Sequence, residues 1–532
     1  MAGRAHLWRW IHQHRTTIYA FIGTILVWEL LGRLGFGRGV WPPMTAIIAE
    51  FFNNLADIQF HLGATLRNAT LGFVIGNLVG VGLAILFVVL PLSERLLRGT
   101  VLSLFCVPLI IIAPILAAAF GVETAKIMLA AIGVYFPTLI GVYVGLLNID
   151  ATMSDVIRIS GGNRWDLLLK VQLRAAIPGL LAGLRLAAPA AILGAILAEF
   201  LGAERGLGVY IVGVYTQGNT ALLWAISLVA ATIAMLAYGL FAALGARFTA
   251  ENLANELSTG GTAPEVAAAL GWQGRGQASQ WLVALGSLAT TLLAWHILAA
   301  YFINSPIVGR GPLDVFHYLI THPNAAETRG AIGQALGVTL PLTLAGLVIG
   351  VGWSFAAAVL ASVLPKVSAS LLPITLVLQS TPFVILIPLF AILFGRDTTT
   401  TIIVTVAVIF FPSFVIITQG LAQVSPAALD LMRVYNASKL TTLFKVSVPS
   451  AIPYLFAAIR LSVPRALLAV ALAEYLITFG GLGGELLRAR GRLNFQMMWT
   501  IAAIAVAISV TLYIWAAAAE RRARLKYGGE SG

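Results

Sequence analysis

The side chains that commonly do chemistry in enzymes are sparse and scattered in this chain of 532 residues. Its histidines are His6, His12, His14, His61, His296, His317 and His322, and their spacing is not that of metal ligands. No Ser–His–Asp or Cys–His arrangement is recognisable, and the single cysteine, Cys106, cannot form an internal disulfide. No Gly-Lys pair occurs, so the G-x-x-x-x-G-K-[ST] phosphate-binding loop is missing. The residues therefore predict no catalytic site and no metal site.

Polar and ionisable residues inside long apolar stretches indicate a different chemistry, the passage of a solute through a membrane. The candidates for a translocation path or gate are Glu199, Glu474, Gln379, Ser380, Thr381, Arg465, Pro108 and Pro382. A structural role stays open for several of them. The two carboxylates can bond to the glycine loops that follow them, and hydroxyls beside a proline often satisfy freed backbone groups. Arg465 has no counterpart in the first half of the chain, where Ala190 stands.

The amino-acid composition indicates the class of protein to which these residues belong. The chain is 59% hydrophobic and 10% charged, whereas a soluble domain is about 45–50% apolar and about 25% charged. Apolar runs close to the roughly 20 residues that cross a bilayer recur throughout. We therefore predict an all-α polytopic membrane protein. Its net charge of +12 is assigned to loops that face anionic lipid, not to nucleic-acid binding.

Twelve apolar runs predict about twelve transmembrane helices. They lie near 16–35, 66–90, 100–120, 125–147, 179–201, 221–244, 282–303, 334–363, 370–394, 399–421, 454–477 and 497–519. Arg185 and Arg460 lie just inside two of these spans and are expected to extend to the membrane interface. A gate or a loop-anchoring contact is the alternative.

The two halves of the chain are one repeat written twice. Pro108 recurs as Pro382 at a separation of 274 positions, and Glu199 recurs as Glu474 at a separation of 275. Between 170 and 189, ten of twenty residues are identical to their partners. The predicted units are a first repeat of six spans at 1–245, a cytoplasmic linker at 246–280 and a second repeat at 281–532. An even number of spans per unit makes the repeats parallel.

The distribution of basic residues predicts the orientation. With both termini inside, the cytoplasmic segments hold 19 Lys and Arg residues and the outside segments hold 11. This bias favours cytoplasmic termini.

The most informative segments are the loops between spans four and five of each half. Loop 1 runs from Asp155 to Pro178, and loop 2 runs from Asp430 to Pro453. Each predicts a short helix, a kink at Gly161 or Asn436, and a basic helix ended by proline, because Gly and Asn tolerate a left-handed backbone best. Such a paired loop is suited to docking into a groove on a partner. The docking candidates are Asp155, Arg158, Gly161, Gly162, Asn163, Arg164, Trp165 and Lys170 in loop 1, and Asp430, Arg433, Asn436, Ala437, Ser438, Lys439, Leu440 and Lys445 in loop 2.

Both loops resemble the cytoplasmic "EAA" loop of ABC-importer permeases. In that family the pattern is acidic–Ala–Ala, three residues, glycine, and then a basic helix that ends in Leu-Pro. This chain departs from it, because Asp155 and Asp430 stand where glutamate is usual and Asn436 replaces the glycine. Arg174 also replaces the first proline, which loop 2 retains as Pro449.

Other segments resemble one branch of that family, the nitrate/sulfonate/taurine/bicarbonate permeases. They are Trp28-Glu-Leu-Leu31, the prolines Pro108 and Pro114, Phe136-Pro137, and Ala198-Glu199-Phe-Leu-Gly202 ahead of Gly206-Leu-Gly208. The likeness extends over most of both halves and implies two permease units fused in one chain. It also implies a type I ABC importer transmembrane fold.

The resemblance implies an ATP-driven importer in the bacterial inner membrane. Two ATP-binding cassette subunits, identical or different, would dock on the two loops, and a periplasmic or extracellular solute-binding protein would deliver the substrate. ATP and Mg would be held by the partner subunits, and this chain would bind no cofactor itself. The expected substrate is a small anion or a small organic solute, such as nitrate, a sulfonate, bicarbonate or an aromatic carboxylate.

A secondary transporter with twelve spans in two parallel repeats is the alternative. It needs no docking kink, and it should carry ionisable residues near the middle of the membrane, which are scarce here.

Overall fold

The computed structural model describes residues 22–35, 40–149, 151–248, 277–303, 305–364 and 383–527. Over these ranges the regular structure is helical, with no strand. Nine helical segments in them are long and apolar enough to cross a bilayer: Leu55–Val89, Val122–Leu147, Ile177–Glu199, Thr220–Arg247, Val283–Phe302, Ala325–Val363, Thr398–Ala422, Lys439–Thr478 and Phe495–Tyr527. The bent pair Pro91–Cys106 and Leu109–Phe120 is a tenth candidate. The predicted spans 16–35 and 370–394 are described only in part, as helical residues 22–33 and as 383–394.

The helices of the first half include α1 (Met44–Asn53), α2 (Leu55–Val89), α3 (Pro91–Cys106), α4 (Leu109–Phe120), α5 (Val122–Leu147), α6 (Ala151–Ile159), α7 (Arg164–Leu167), α8 (Ile177–Glu199), α9 (Leu207–Gln217) and α10 (Thr220–Phe248). Those of the second half are α11 (Gln277–Ile297), α12 (Pro312–Ile320), α13 (Ala325–Val363), α14 (Ile387–Phe394), α15 (Thr398–Ala422), α16 (Pro426–Val434), α17 (Lys439–Thr442), α18 (Val448–Ala473), α19 (Gly481–Gly491) and α20 (Phe495–Tyr527). Helices α12 to α20 follow the order of α1, α2 and α4 to α10, so the repeat seen in the sequence is also a repeat of structure.

Small residues bring the central helices of each half together. Helix α2 packs on α5, and α5 packs on α8, as α13, α15 and α18 do in the second half. A Cβ atom added at Gly72 would lie 2.3 Å from the Cβ of Ala130, and one at Gly76 would lie 2.6 Å from the carbonyl oxygen of Ala131. Glycines four residues apart therefore allow the α2 and α5 backbones to approach closely, as is common between membrane helices.

The two halves interlock. Helix α11, the first described helix of the second half, packs on α3 of the first half. The backbone N–H of Gly99 donates to the Ser287 hydroxyl at 2.7 Å, and the Thr290 hydroxyl donates to the carbonyl of Leu96 at 2.6 Å. Polar contacts between membrane helices give specific association where apolar contacts alone do not.

The span predicted near 100–120 is not one straight helix. The chain bends by 98° between α3 and α4. Val107, which precedes Pro108, is extended with φ −63° and ψ 121°, because a following proline disfavours the helical conformation. Pro108 also has no N–H to continue the helix.

The predicted linker at 246–280 lies mostly outside the described residues. Helix α10 extends to Phe248, and α11 begins at Gln277.

Candidate functional site

Loop 1 contains the predicted kink. Gly161 follows α6 with φ +73°, and the N–H of Gly162 donates to the carbonyl of Ile157 at 2.9 Å, which closes the end of the helix. Asn163 then begins α7, because its side-chain oxygen accepts from the N–H groups of Trp165 at 2.8 Å and Asp166 at 3.0 Å. The Asp166 carboxylate accepts from the Asn163 N–H at 3.0 Å, which completes a capping box.

Loop 2 repeats this geometry with different residues. Asn436 has φ +51°, and the N–H of Ala437 donates to the carbonyl of Met432 at 2.9 Å. The Ser438 hydroxyl caps α17 by accepting from the N–H of Thr441 at 3.1 Å. The predicted left-handed kinks are therefore present in both loops, at matched positions.

Both loops also contain a feature that the sequence analysis missed. The basic helix after each kink widens into a π-helical turn, at Leu168–Gln172 in loop 1 and at Leu443–Ser447 in loop 2. The two turns are 275 positions apart. Such turns are frequent at functional sites. The apolar pattern carries no signal that separates a π turn from an α turn.

The loops present apolar and charged side chains to the surface. Trp165 is 53% exposed in loop 1, and Tyr435 is 76% exposed in loop 2. The docking candidates are all exposed except Gly162 and Ala437, which are half-buried. Lys170 Nζ lies 2.6 Å from Asp166 Oδ1, and this contact, with the hydrogen bond from the Asn163 N–H, lowers the pKa of Asp166. Exposed apolar residues beside basic ones are typical of a protein interaction surface.

A central cavity of about 290 Å³ lies between the two halves. Four lining positions of the first half have their repeat counterparts on the opposite wall: Pro137 and Pro412, Pro189 and Pro464, Ala190 and Arg465, Leu193 and Leu468. The other described lining residues are Leu104, Phe105, Val107, Leu109, Ile132, Gly133, Leu186 and Tyr238. The cavity therefore lies where the repeats face each other, and it includes Arg465 from the predicted path. Pro108 sits between two lining residues. Gln379, Ser380, Thr381 and Pro382 lie outside the described residues.

The other two predicted path residues are held inside the protein. Glu199 is fully buried, and its carboxylate accepts from the Thr65 hydroxyl at 2.9 Å and from the N–H of Gly208 at 2.8 Å. The same hydroxyl accepts from the N–H of Leu207 at 2.8 Å. Gly206 has φ +140°, and a Cβ atom there would lie 2.1 Å from the Glu199 Cδ. The carboxylate thus joins the end of α8 to α2 and to the start of α9.

The second half repeats this cluster. Glu474 is fully buried and accepts from the Thr339 hydroxyl at 2.7 Å and from the N–H of Gly483 at 3.0 Å. The Thr339 hydroxyl accepts from the N–H of Leu482 at 2.8 Å. Neither carboxylate lines the cavity. The sequence analysis assigned no role to the two threonines. The signal that could have identified them is a threonine, a glutamate and a glycine pair that recur together in both halves.

The expectation that Arg460 extends to the membrane interface is wrong. Arg460 is 3% exposed, and its Nε lies 3.0 Å from Oε2 of Glu520, which is 1% exposed. Glu520 also pairs with Arg524. The arginine therefore finds its counter-charge on α20 inside the protein. Its repeat counterpart, Arg185, lies 5.1 Å from the ring of Tyr238.

Comparison with known proteins gives the same picture of two units. The family model for binding-protein-dependent transport system inner membrane components matches residues 76–250 and again residues 349–525. A probable ABC transporter permease of Haemophilus influenzae is 31% identical over 222 residues, which are 42% of this chain and 88% of that protein. A Bacillus subtilis permease named for aliphatic sulfonates transport, SsuC, is 31% identical over 188 residues, which are 35% of this chain and 68% of that protein.

A third relative, the nitrate import permease NrtB of Leptolyngbya laminosa, is 28% identical over 214 residues, which are 38% of this chain and 77% of that protein. Each match covers less than half of this chain but most of the relative, as expected if the relatives correspond to single units. The chain belongs to the family of binding-protein-dependent transport system inner membrane components, as two permease units fused in one polypeptide.

Proposed function

We propose that this chain forms the membrane path of an ATP-driven importer and that loops 1 and 2 are the docking sites of two ATP-binding subunits. The observation that carries the proposal is the paired geometry of the loops. Each has a helix, a left-handed residue, a capped basic helix and a π turn at matched positions. Two like loops suit two like partners related by the same symmetry as the repeats.

The proposal places the loops and both termini in the cytoplasm. The excess of Lys and Arg in those segments supports this orientation. The ATP-binding subunits would hold ATP and Mg, since the chain has no Gly-Lys pair for a phosphate-binding loop of its own. A solute-binding protein would dock on the opposite face, where α9 and α19 lie beside the buried glutamates.

The proposed solute is a small anion or a small organic molecule. Arg465 supports this class because it places one positive charge on the wall of the central cavity. The names of relatives, which include nitrate import and aliphatic sulfonates transport, agree with it.

Proline substitution at the kinks tests the docking loops. Proline holds φ near −65°, whereas Gly161 has φ +73° and Asn436 has φ +51°. We expect Gly161→Pro and Asn436→Pro to abolish solute uptake and co-purification of the ATP-binding subunits, while the chain still inserts in the membrane. The measurement is uptake in cells, together with the amount of ATP-binding subunit recovered per permease chain from native membranes.

The chain offers matched controls. Gly161→Asn and Asn436→Gly exchange the two residues that the loops themselves use at the left-handed position, so both variants should retain docking. Normal uptake and normal recovery of ATP-binding subunits in both proline variants would contradict the proposal. Uptake that survives ATP depletion and collapses with an uncoupler would favour a secondary transporter instead.

A further inference from the structure

We propose that the central cavity is a binding site in the transport path for a small organic monoanion, whose carboxylate or sulfonate group pairs with Arg465. This inference rests on the proposed function, because it names the class of solute and the residue that recognises it. The inference is that the cavity prefers organic anions with an apolar body to inorganic anions such as nitrate.

The size and walls of the cavity fit an apolar body. Its volume is about 290 Å³, close to the lower end of the roughly 300–1,000 Å³ that ligand pockets occupy. Among the described lining residues, Arg465 is the one charged side chain, and most of the others are aliphatic, proline or aromatic. Pockets for organic ligands combine such apolar walls with a few polar groups that fix orientation.

Arg465 lines this cavity, and no described residue on the cavity wall supplies a counter-charge to it. Its helix neighbours Pro464 and Ala466 are buried, whereas Arg465 is exposed and lines the cavity. None of the ion pairs or hydrogen bonds formed among the described residues includes Arg465. Arg460, five residues earlier on α18, is neutralised by Glu520. Inside a membrane protein a cation is either paired or faces water. Arg465 faces the open cavity, where a bound anion would supply a counter-charge.

Only one of the two repeat-related wall positions carries a charge, which favours a ligand with a single negative charge. The position equivalent to Arg465 in the first half is Ala190, which lies on the cavity wall and offers no charge. One guanidinium matches one anionic group, and its planar fork can pair with the two oxygens of a carboxylate or with two of the three oxygens of a sulfonate. The opposite wall, with Ala190 and Leu193, would contact the rest of the molecule.

Binding measurements on the full chain test the site. The full chain is reconstituted in lipid nanodiscs, with and without its ATP-binding subunits, and titrated calorimetrically with benzoate, butanesulfonate, nitrate and the uncharged benzamide. We expect benzoate and butanesulfonate to bind more tightly than nitrate, and benzamide not to bind. Arg465→Gln should weaken benzoate binding by on the order of tenfold to a hundredfold, the usual effect of losing a charge-assisted hydrogen-bond pair. Arg465→Lys should lose less, because it keeps the charge without the fork.

Two further variants separate the site from general effects. Arg396→Gln removes an exposed arginine that does not line the cavity and should leave binding unchanged. Ala190→Leu keeps the guanidinium but fills space on the opposite wall, so it should weaken benzoate binding more than nitrate binding. The second variant keeps the test decisive if Arg465→Gln does not fold.

The results that overturn the inference are distinct from failure of the proposed function. Benzoate binding that is equal in the wild type, Arg465→Gln and Ala190→Leu would overturn the site. Nitrate binding as tight as benzoate binding would overturn the assignment to organic anions. Docking of the ATP-binding subunits is measured separately, by co-purification. It depends on loops 1 and 2. Anion binding that depends on Arg465 in a chain that recruits no ATP-binding subunit would leave this inference standing and refute only the proposed function.

Discussion

Replacing Thr339 by valine should destabilise the second half because one hydroxyl connects two buried groups there. This hydroxyl donates to the Glu474 carboxylate at 2.7 Å and accepts from the N–H of Leu482 at 2.8 Å. All three residues are fully buried. Valine keeps the shape of the side chain but removes both contacts. The Glu474 carboxylate would keep its bond from Gly483, at 3.0 Å.

The expected magnitude follows from the groups left without a partner. A buried donor or acceptor that loses its hydrogen bond costs about 1–3 kcal/mol. Two such groups, the Glu474 Oε1 atom and the Leu482 N–H, predict a loss of about 2–6 kcal/mol for Thr339→Val. The equivalent change in the first half, Thr65→Val, removes the same pair of contacts, to Glu199 and to Leu207. Because the clusters lie in different halves, the two losses should add.

The control for this experiment lies one turn away. Thr343 is also fully buried, but its hydroxyl donates only to the carbonyl of Thr339, at 2.7 Å. That carbonyl already has a helix partner, so Thr343→Val should cost less than about 1 kcal/mol. The measurement is equilibrium unfolding of the full chain in mixed micelles, followed by tryptophan fluorescence. Equal losses for Thr339→Val and Thr343→Val would refute the reasoning.

Two other contacts make quantitative predictions. Glu520→Gln removes the negative charge that faces the buried Arg460 and should cost about 3–5 kcal/mol in the same unfolding assay. Glu485→Gln, which breaks a partly exposed pair with Arg488, should cost under about 1 kcal/mol. Equal losses would contradict the role of the buried pair. The pKa of Asp166 is lowered in the folded loop, so its contribution to loop stability is present above the pKa of the unfolded chain and is lost as the pH falls below about 4. Hydrogen exchange in loop 1, corrected for intrinsic rates, should rise over that range in the wild type and not in Asp166→Asn; identical profiles would contradict it.

The repeat is the part of the fold that could be predicted from the sequence with most detail. Matched prolines, charges and glycines are rare in an apolar chain, so their shared register indicates shared structure. The kinks at Gly161 and Asn436 followed from the backbone preferences of glycine and asparagine. Both positions have positive φ in the structure.

Features that depend on contacts between distant segments could not be predicted in the same way. The expected span near 100–120 is apolar on both sides of Val107, and hydropathy does not distinguish a straight helix from one bent by 98°. Arg460 was assigned to the interface because it lies just inside the end of a predicted span. Its partner Glu520 is 60 residues further along the chain. The sequence alone does not place these two residues together.

The repeats differ in the charge that they place on the cavity wall. The buried clusters of threonine, glutamate and glycine around Glu199 and Glu474 occur in both halves, as do the loop kinks. Each of these features fixes the local conformation of the backbone. By contrast, Arg465 puts a charge on one wall of the cavity, whereas its counterpart Ala190 puts none on the other wall. Two identical subunits around the same axis would each carry the residue at this position, and two guanidinium groups facing one small cavity would repel strongly in a medium of low dielectric constant. Fusion of two units in one chain removes that constraint, because each half can change independently. A single arginine on one wall of the cavity is therefore an arrangement that the fused chain allows and a homodimer does not.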